Sequence, residues 1–189
     1  MHARCEIRRQ TERDAEEFYN LRLSALTSSP YAFGESAAEF QNTTVQKSAE
    51  RLGSGSADSF VMGAFDGPKL VGTIGLYREP PAKRRHKGHI WGVFVAGSHR
   101  GSGVGKALLT AILDAAREMP GLTQVRLSVS VTQREARALY TAVGFQTWGI
   151  EPRALCVDGE FVDEEHMYLP LAAHSPFPNL GIDTVHEEI

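Results

Sequence analysis

A glycine-rich turn, Arg100-Gly101-Ser102-Gly103-Val104-Gly105-Lys106, has the residue types and spacing to bind a phosphate group through its backbone. The apolar run at residues 90–95 predicts a buried strand before the turn, and residues 104–116 predict a helix after it. The first N–H groups of such a helix have no partner within the helix, and the helix dipole adds positive charge there. Since glycine has no side chain, an anion can approach the bare backbone. The turn is therefore predicted to hold a phosphate with its amides.

Two better-known glycine motifs do not fit this turn. The P-loop needs glycine at the position of Arg100 and serine or threonine at the position of Ala107. The dinucleotide-binding fingerprint opens a repeated strand–helix–strand unit. Here the glycines instead follow several antiparallel-looking strands in mid-chain. The phosphate ligand must therefore be inferred from a different pattern.

The elements that position this turn follow from hydrophobic periodicity. Strands are predicted over residues 4–9, 60–65, 70–77, 90–95, 125–131, 145–157 and 161–171. Helices are predicted after Thr11, with Asp14 as the acid of a capping box, and over residues 43–52, 104–116 and 133–143. The fold class is α/β of the α+β type, with a mixed, mostly antiparallel sheet of about seven strands, about four flanking helices and a central strand–helix–strand crossover. We expect a single domain over residues 1–171 and a C-terminal tail of unknown role over residues 172–189.

Composition narrows the classes of function. The chain has 189 residues, is 42% hydrophobic and carries a formal net charge of -3. The negative charge argues against a nucleic-acid partner, and no apolar run reaches the roughly 20 residues of a membrane span. Cys5 and Cys156 are too few and too far apart for a disulfide framework or a metal site, so both are expected to be small buried hydrophobes. A cytoplasmic location is the resulting expectation.

A second motif, Ala136-Arg137-Ala138-Leu139-Tyr140-Thr141-Ala142-Val143-Gly144-Phe145, lies downstream of the turn. Together with Arg-x-x-Gly-x-Gly at residues 100–105 and the strand between them, it resembles the GNAT superfamily of acetyl-CoA-dependent N-acetyltransferases. The resemblance runs from Glu6 to about Leu171. It implies that acetyl-CoA is the cosubstrate, that a primary amine attacks its thioester directly, and that no metal is needed. The acceptor would be a small-molecule amine or a peptide N-terminus.

The resemblance also implies which residues bind coenzyme A (CoA). The backbone from Arg100 to Lys106 would hold the CoA pyrophosphate, through Arg100, Gly101, Ser102, Gly103, Val104, Gly105 and Lys106. The strand ending in Val93, Phe94 and Val95 would splay from its neighbour at a bulge and pair with the pantetheine arm. Gln133 stands where the family usually has an asparagine that contacts pantetheine. Ala136 and Tyr140 complete the predicted cofactor-binding set.

Two residues are predicted to be catalytic from the same resemblance. Tyr140 would be the general acid, because expulsion of a thiolate requires a nearby proton donor. Alternatively, Tyr140 only packs its ring in the core. His89 would be the general base, since it lies where some family members carry a glutamate and its ordinary pKa of about 6.5 suits the task. A packing histidine is the alternative, and the further candidates for the base are Glu35, Glu39, Glu79 and Glu151.

Other functions stay open at the level of sequence. A non-catalytic acyl-CoA-binding sensor or interaction module would bind CoA without transferring an acyl group, and the replacement by Gln133 leaves room for it. An unrelated nucleotide-binding protein would bind ATP in preference to CoA. We expect the acceptor to lie between the loop at residues 31–33, the strand containing Trp91 and the last two strands. Long edge strands are also compatible with a homodimer.

Overall fold

The chain builds one seven-stranded sheet with helices on its faces, as described by a computed structural model of residues 5–171. The strands are β1 (Glu6–Arg9), β2 (Ser59–Asp66), β3 (Lys69–Arg78), β4 (Lys87–Val95), β5 (Gln124–Ser130), β6 (Gln146–Val157) and β7 (Glu160–Pro170). The helices are α1 (Ala15–Ser28), α2 (Ala37–Phe40), α3 (Val45–Gly53), α4 (Val104–Arg117) and α5 (Arg134–Val143). The tail predicted over residues 172–189 lies outside the described residues.

The strand order is β1-β2-β3-β4-β5-β7-β6. Neighbouring strands pair antiparallel except β4 and β5, which are parallel and are connected through α4. The predicted fold class, with its mostly antiparallel sheet and central crossover, is confirmed. The sequence analysis did not predict α2, a single turn whose capping box is formed by Ser36 and Glu39.

Local sequence explains why the elements around the glycine turn form. The apolar face of α4 buries Leu108, Leu109, Ile112 and Leu113 at helical spacing, each with at most 1% of its surface exposed. Burial of each such side chain stabilises the fold by about 1.5–3 kcal/mol. At the start of the chain, Thr11 and Asp14 form the predicted capping box before α1. The predicted helices therefore have the caps and apolar faces that the sequence requires of them.

Two apolar cores cover the two faces of the sheet. The larger core packs α4 and α5 against one face, where it includes Ile90 of β4. The smaller core packs α1 and α3 against the other face, where it includes Phe94 and reaches the partly buried Trp91. Strand β4 thus contributes side chains to both cores, and any cleft along it is bounded by both layers of helices.

Strands β4 and β5 separate along their length. Their parallel pairing covers only Lys87, Gly88 and His89 on β4, which face residues 124–126 of β5. Beyond His89, β4 has a bulge against β3, where Thr73 pairs with Phe94 but Gly75 pairs with Trp91. Gly92 within this bulge has a φ of +62°, which glycine adopts at little cost. The splayed strand and its bulge, both implied by the resemblance, are present.

One expectation about the cysteines is wrong. Cys5 is partly buried, but Cys156 is exposed. The reason is that β6 forms an edge of the sheet, where Cys156 pairs with Phe161, itself 53% exposed. Within residues 5–171, no helix is both long and apolar enough to cross a membrane, and no group of three potential metal-ligating side chains is assembled.

Candidate active site

A cavity of about 390 Å³ opens where β4 and β5 separate. It runs from the glycine turn to α5 and is also bounded by the loop after α1. Its lining includes the following predicted cofactor-binding residues: Val93, Phe94, Val95, Arg100, Gly101, Gly103, Gly105, Lys106, Gln133, Ala136 and Tyr140. We call this space the donor cavity. Two predicted residues are absent from its lining: Val104 packs its side chain in the core, and Ser102 donates a hydrogen bond from Oγ to the His99 carbonyl.

The backbone of the glycine turn presents open amides to the donor cavity. Gly101 and Gly103 have φ values of +71° and +88°, and a Cβ on either would meet no atom within 4 Å. Helix α4 begins at Val104, so its first N–H groups have no carbonyl one turn earlier to bind. Arg100 folds back, donating from Nε to the carbonyl of Val95 at 3.1 Å. The turn is thus a positively polarised recess that suits a phosphate oxygen.

Tyr140 reaches the donor cavity from α5. The residue is 5% exposed and its ring lies 5.9 Å from the ring of Phe145. Burial raises the pKa of its phenol well above the ordinary value, so the hydroxyl stays protonated at neutral pH. Within residues 5–171 the hydroxyl has no hydrogen-bond partner, although the residue lines the cavity. A buried, protonated and uncommitted phenol can donate a proton to a group bound there.

His89 lies where β4 and β5 part. It is the last β4 residue paired with β5, facing Arg126, and its ring lies 5.3 Å from that of Tyr77. Burial lowers its pKa, with smaller lowering effects from His166 and Arg126, whereas Glu79 raises it. The imidazole is therefore held neutral at pH values where a free histidine begins to protonate. A neutral imidazole can accept a proton.

The chain matches known acetyltransferases in sequence and in fold. The profile of the acetyltransferase (GNAT) family matches residues 15–145, most of the chain. The protein belongs to the GNAT family. N-acetyltransferase 8B of Rattus norvegicus is 39% identical over 88 residues, which is 46% of this chain and 39% of that protein. The match thus spans only about two fifths of the length of such curated relatives.

Solved structures of GNAT proteins share the fold across nearly their whole length. The yncA protein of Salmonella typhimurium, solved with its cofactor acetyl-CoA, superimposes with a TM-score of 0.77 at 18% identity, covering 94% of this chain and 99% of that one. A GCN5-related N-acetyltransferase from Kribbella flavida gives 0.75 at 23% identity, covering 89% and 98%. These likenesses confirm the predicted fold.

Helix α5 of this GNAT chain is fixed to the sheet by a buried carboxylate. Glu165 on β7 accepts hydrogen bonds from Arg137 of α5 and from Thr147 of β6. Although burial alone would raise the pKa of Glu165, these two donors lower it. Arg137 stands one helical turn before Tyr140, so the ion pair sets where the phenol lies.

A second polar network lies beside β5 on the sheet face of His89. His166 on β7 is hydrogen-bonded through Nδ1 to Ser128 Oγ at 2.8 Å and through Nε2 to Glu151 at 3.0 Å. The Trp148 ring stacks on it with centroids 5.2 Å apart. Of the other base candidates, Glu35 pairs with Arg22, Glu39 caps α2 and Glu79 pairs with Arg84.

The expected acceptor region is only partly assembled as predicted. The loop after α1 does meet the last hairpin, since the Tyr31 hydroxyl donates to Glu160 at 3.2 Å. A second cavity, of about 540 Å³, includes Trp91 but extends toward β1, β2 and α3 rather than toward that hairpin. Sequence reasoning missed Arg22 and Arg51 near this cavity. Their only sequence signal was that each lies in a predicted amphipathic helix, which is also true of surface residues.

Proposed function

We propose that this GNAT protein transfers an acetyl group from acetyl-CoA to a primary amine. The single observation that carries the proposal is the donor cavity, because it joins the glycine turn, the splayed end of β4 and Tyr140 in one space. Open backbone amides suit the CoA pyrophosphate, and the free edge of β4 suits the amide-rich pantetheine arm. Bound acetyl-CoA would supply an activated acetyl thioester to the vertex between β4 and β5.

Tyr140 is proposed as the general acid of this transfer. As the amine nitrogen bonds to the carbonyl carbon and the carbon–sulfur bond breaks, the sulfur needs a proton. Tyr140 donates its phenolic proton to that sulfur and regains one from solvent. The raised pKa supports this role, because the phenol remains protonated across the pH range in which amines react.

His89 is proposed as the general base that takes a proton from the attacking amine. Its position at the vertex and its lowered pKa support the role, because the ring is neutral and able to accept. His166, bonded to Ser128 and Glu151, lies close enough to affect the pKa of His89 and offers a path by which the proton reaches solvent. Neither cysteine lines the donor cavity, which supports direct attack without an acetyl-cysteine intermediate.

The test is release of CoA thiol from acetyl-CoA across a panel of primary amines, with mass detection of the acetylated amine. Equimolar thiol and acetylated product are expected. Tight CoA binding without transfer to any amine would favour a non-catalytic acyl-CoA-binding module. Failure to bind CoA, with ATP binding instead, would overturn the donor site itself.

We also propose that the protein is located in the cytoplasm and that it forms a homodimer. The second is supported by β6, an edge strand with the exposed apolar side chains Trp148 and Ile150. Light scattering coupled to gel filtration tests it, and a monomer at micromolar concentration would exclude it.

A further inference from the structure

The cavity of about 540 Å³ reaches β4 at Trp91, beside the bulge of that strand. It is lined by the ends of β1 and α3, the start of β2, and the aromatic residues Tyr77 and Trp91. Trp91 precedes Gly92, while the lining of the donor cavity begins at Val93, just after it. The two spaces therefore approach the same point of the splayed strand. Tyr77, which packs against His89, also lines this second cavity. We call it the acceptor cavity.

Arg51 brings an uncommitted positive charge to the acceptor cavity. Its guanidinium lies 4.1 Å from the centroid of the Trp91 ring. The ring in turn lies across Gly75, where any Cβ would collide with it. Within residues 5–171, the Arg51 side chain makes neither a hydrogen bond nor an ion pair. Packing on Trp91 fixes the guanidinium in place and leaves its N–H groups available.

Arg22 adds a second guanidinium at the bulge. Its side chain is 12% exposed, and Nη2 donates to Glu35 at 3.1 Å. Nη1 is buried without a partner and would lie 3.9 Å from a Cβ placed on Gly92. The guanidinium also stacks 4.6 Å from the ring of Phe33, which lines the donor cavity. A buried N–H without an acceptor is costly, so this donor is suited to a ligand atom.

The charged groups near the acceptor cavity would be balanced by one negative charge on a ligand. Two guanidinium groups, Arg22 and Arg51, and one carboxylate, Glu35, leave a net charge of +1, and the Arg9 and Glu12 that also line the cavity cancel. Desolvation lowers the pKa of Arg51, as does the charge of Arg22, while Glu35 raises it. A bound monoanion would relieve this repulsion, and a carboxylate fits a guanidinium in two-point geometry.

We propose that the acceptor is an amine carrying a carboxylate close to its nitrogen, as in an amino acid, and that Arg51 and Arg22 bind that carboxylate. This rests on the proposed acetyl transfer and specifies its acceptor. The amine then lies toward the bulge at Gly92, which follows His89 on the same strand. An uncharged or dicationic amine leaves both guanidinium groups without an anion, so it is a poorer substrate.

Matched acceptors test the proposal. Each set keeps one side chain and changes only the carboxylate: methionine, methioninamide and 3-(methylthio)propylamine, with equivalent sets for leucine and phenylalanine. We expect kcat/KM to be about 100-fold higher for the amino acid than for its amide in at least one set, as for loss of a charge-assisted pair. The amide has the less basic amine, so basicity alone would favour the amide. Equal kcat/KM across every set overturns the proposal but leaves acetyl transfer intact.

Variants assign the effect to Arg51. Arg51→Gln should raise KM for the amino acid at least 10-fold and should change KM for 3-(methylthio)propylamine much less. Lys47→Gln, which removes an exposed cation from the same helix, should retain the preference. Because the Arg22 side chain is only 12% exposed, the acceptor preference of Arg22→Lys is measured together with its melting temperature. Equal losses with all three acceptors in Arg51→Gln would contradict carboxylate recognition.

A binding measurement separates this inference from the proposed function. N-acetylmethionine and N-acetylmethioninamide are titrated calorimetrically into wild type and Arg51→Gln in the presence of CoA. Preferential binding of the carboxylate by wild type, lost in Arg51→Gln, supports the inference even if no amine is acetylated. Equal binding of both compounds overturns it whether or not transfer occurs.

Discussion

The donor cavity and the acceptor cavity approach β4 on either side of Gly92 but are built by different means. The donor side presents mainly backbone: the amides of the glycine turn and the freed edge of β4. The acceptor side presents side chains, above all Arg22 and Arg51, brought from two helices to one strand. A backbone site fits a ligand part that is constant, whereas a side-chain site can change its ligand by one substitution. The donor cavity can therefore be predicted from the spacing of residues along the chain, whereas the acceptor cavity depends on tertiary contacts.

On the donor side, Tyr140→Phe separates the binding of CoA from the chemical step most clearly. Removal of the proton donor should lower kcat by about 10²- to 10⁴-fold while the Kd for CoA stays within about threefold. Tyr19→Phe is the control, because Tyr19 stacks on Phe40 and lines neither cavity. Stopped-flow rates and calorimetry with CoA provide the two values. An unchanged kcat in Tyr140→Phe would exclude Tyr140 as the general acid.

The role proposed for His89 as the general base has a pH signature. Since burial lowers its pKa, the neutral base persists below pH 6.5, and the limb that His89 contributes to the pH profile of kcat should lie below that pH. His89→Gln should remove the limb and lower kcat/KM by about 10²-fold. An unchanged pH profile in His89→Gln would place the base elsewhere, with His166→Asn as the next variant.

The same shift predicts a change in stability with pH. Below pH 6.5 the unfolded chain protonates His89 more readily than the folded chain does. The free energy of unfolding should therefore fall as the pH drops from 6.5 toward the lowered folded pKa, and His89→Gln should weaken that dependence. Urea titrations at several pH values measure it; an equal slope in both proteins would contradict a buried neutral His89.

Glu165→Gln tests how far the position of α5 matters. Loss of the charged acceptor for Arg137 and Thr147 should lower the free energy of unfolding by about 1.5–3 kcal/mol, or about 2–4 °C in Tm per kcal/mol. It should also lower kcat several-fold without weakening CoA binding. Glu164→Gln is the matched control, because burial raises the pKa of Glu164 and its neutral replacement costs little. Equal losses of Tm in both variants would show that the Glu165 carboxylate does not fix α5 to the sheet.

Gly103→Ala has the smallest expected effect and tests the backbone character of the donor side. At a φ of +88° an alanine costs about 1–2 kcal/mol, so CoA affinity and stability should both fall, the affinity by about 10-fold. Gly97→Ala is the control, because Gly97 lacks a positive φ and a Cβ added there would meet no atom within 4 Å. If both variants bind CoA equally well, the turn does not need its left-handed glycine.

Sequence patterns predicted the donor side because its parts are local. The glycine turn lies between a strand and a helix whose periodicities are clear, and Tyr140 follows one helical motif. The contact of Arg22 with the bulge could not be predicted, because 70 positions separate it from Gly92 and the turn of α1 decides which way it points. Gly92 itself was a signal, since an isolated glycine in an apolar strand often marks a bulge. Cys156 was misjudged because an apolar run does not reveal which strand lies at an edge.

A bisubstrate conjugate tests most directly whether the two cavities serve one reaction. In this compound the sulfur of CoA is joined through an acetyl linker to the nitrogen of methionine, so one molecule spans both sites. Linking two binding groups should give a Kd about 100-fold below that of CoA, and Arg51→Gln should abolish most of that gain. A conjugate that binds no better than CoA, or equally well to wild type and Arg51→Gln, would contradict the account.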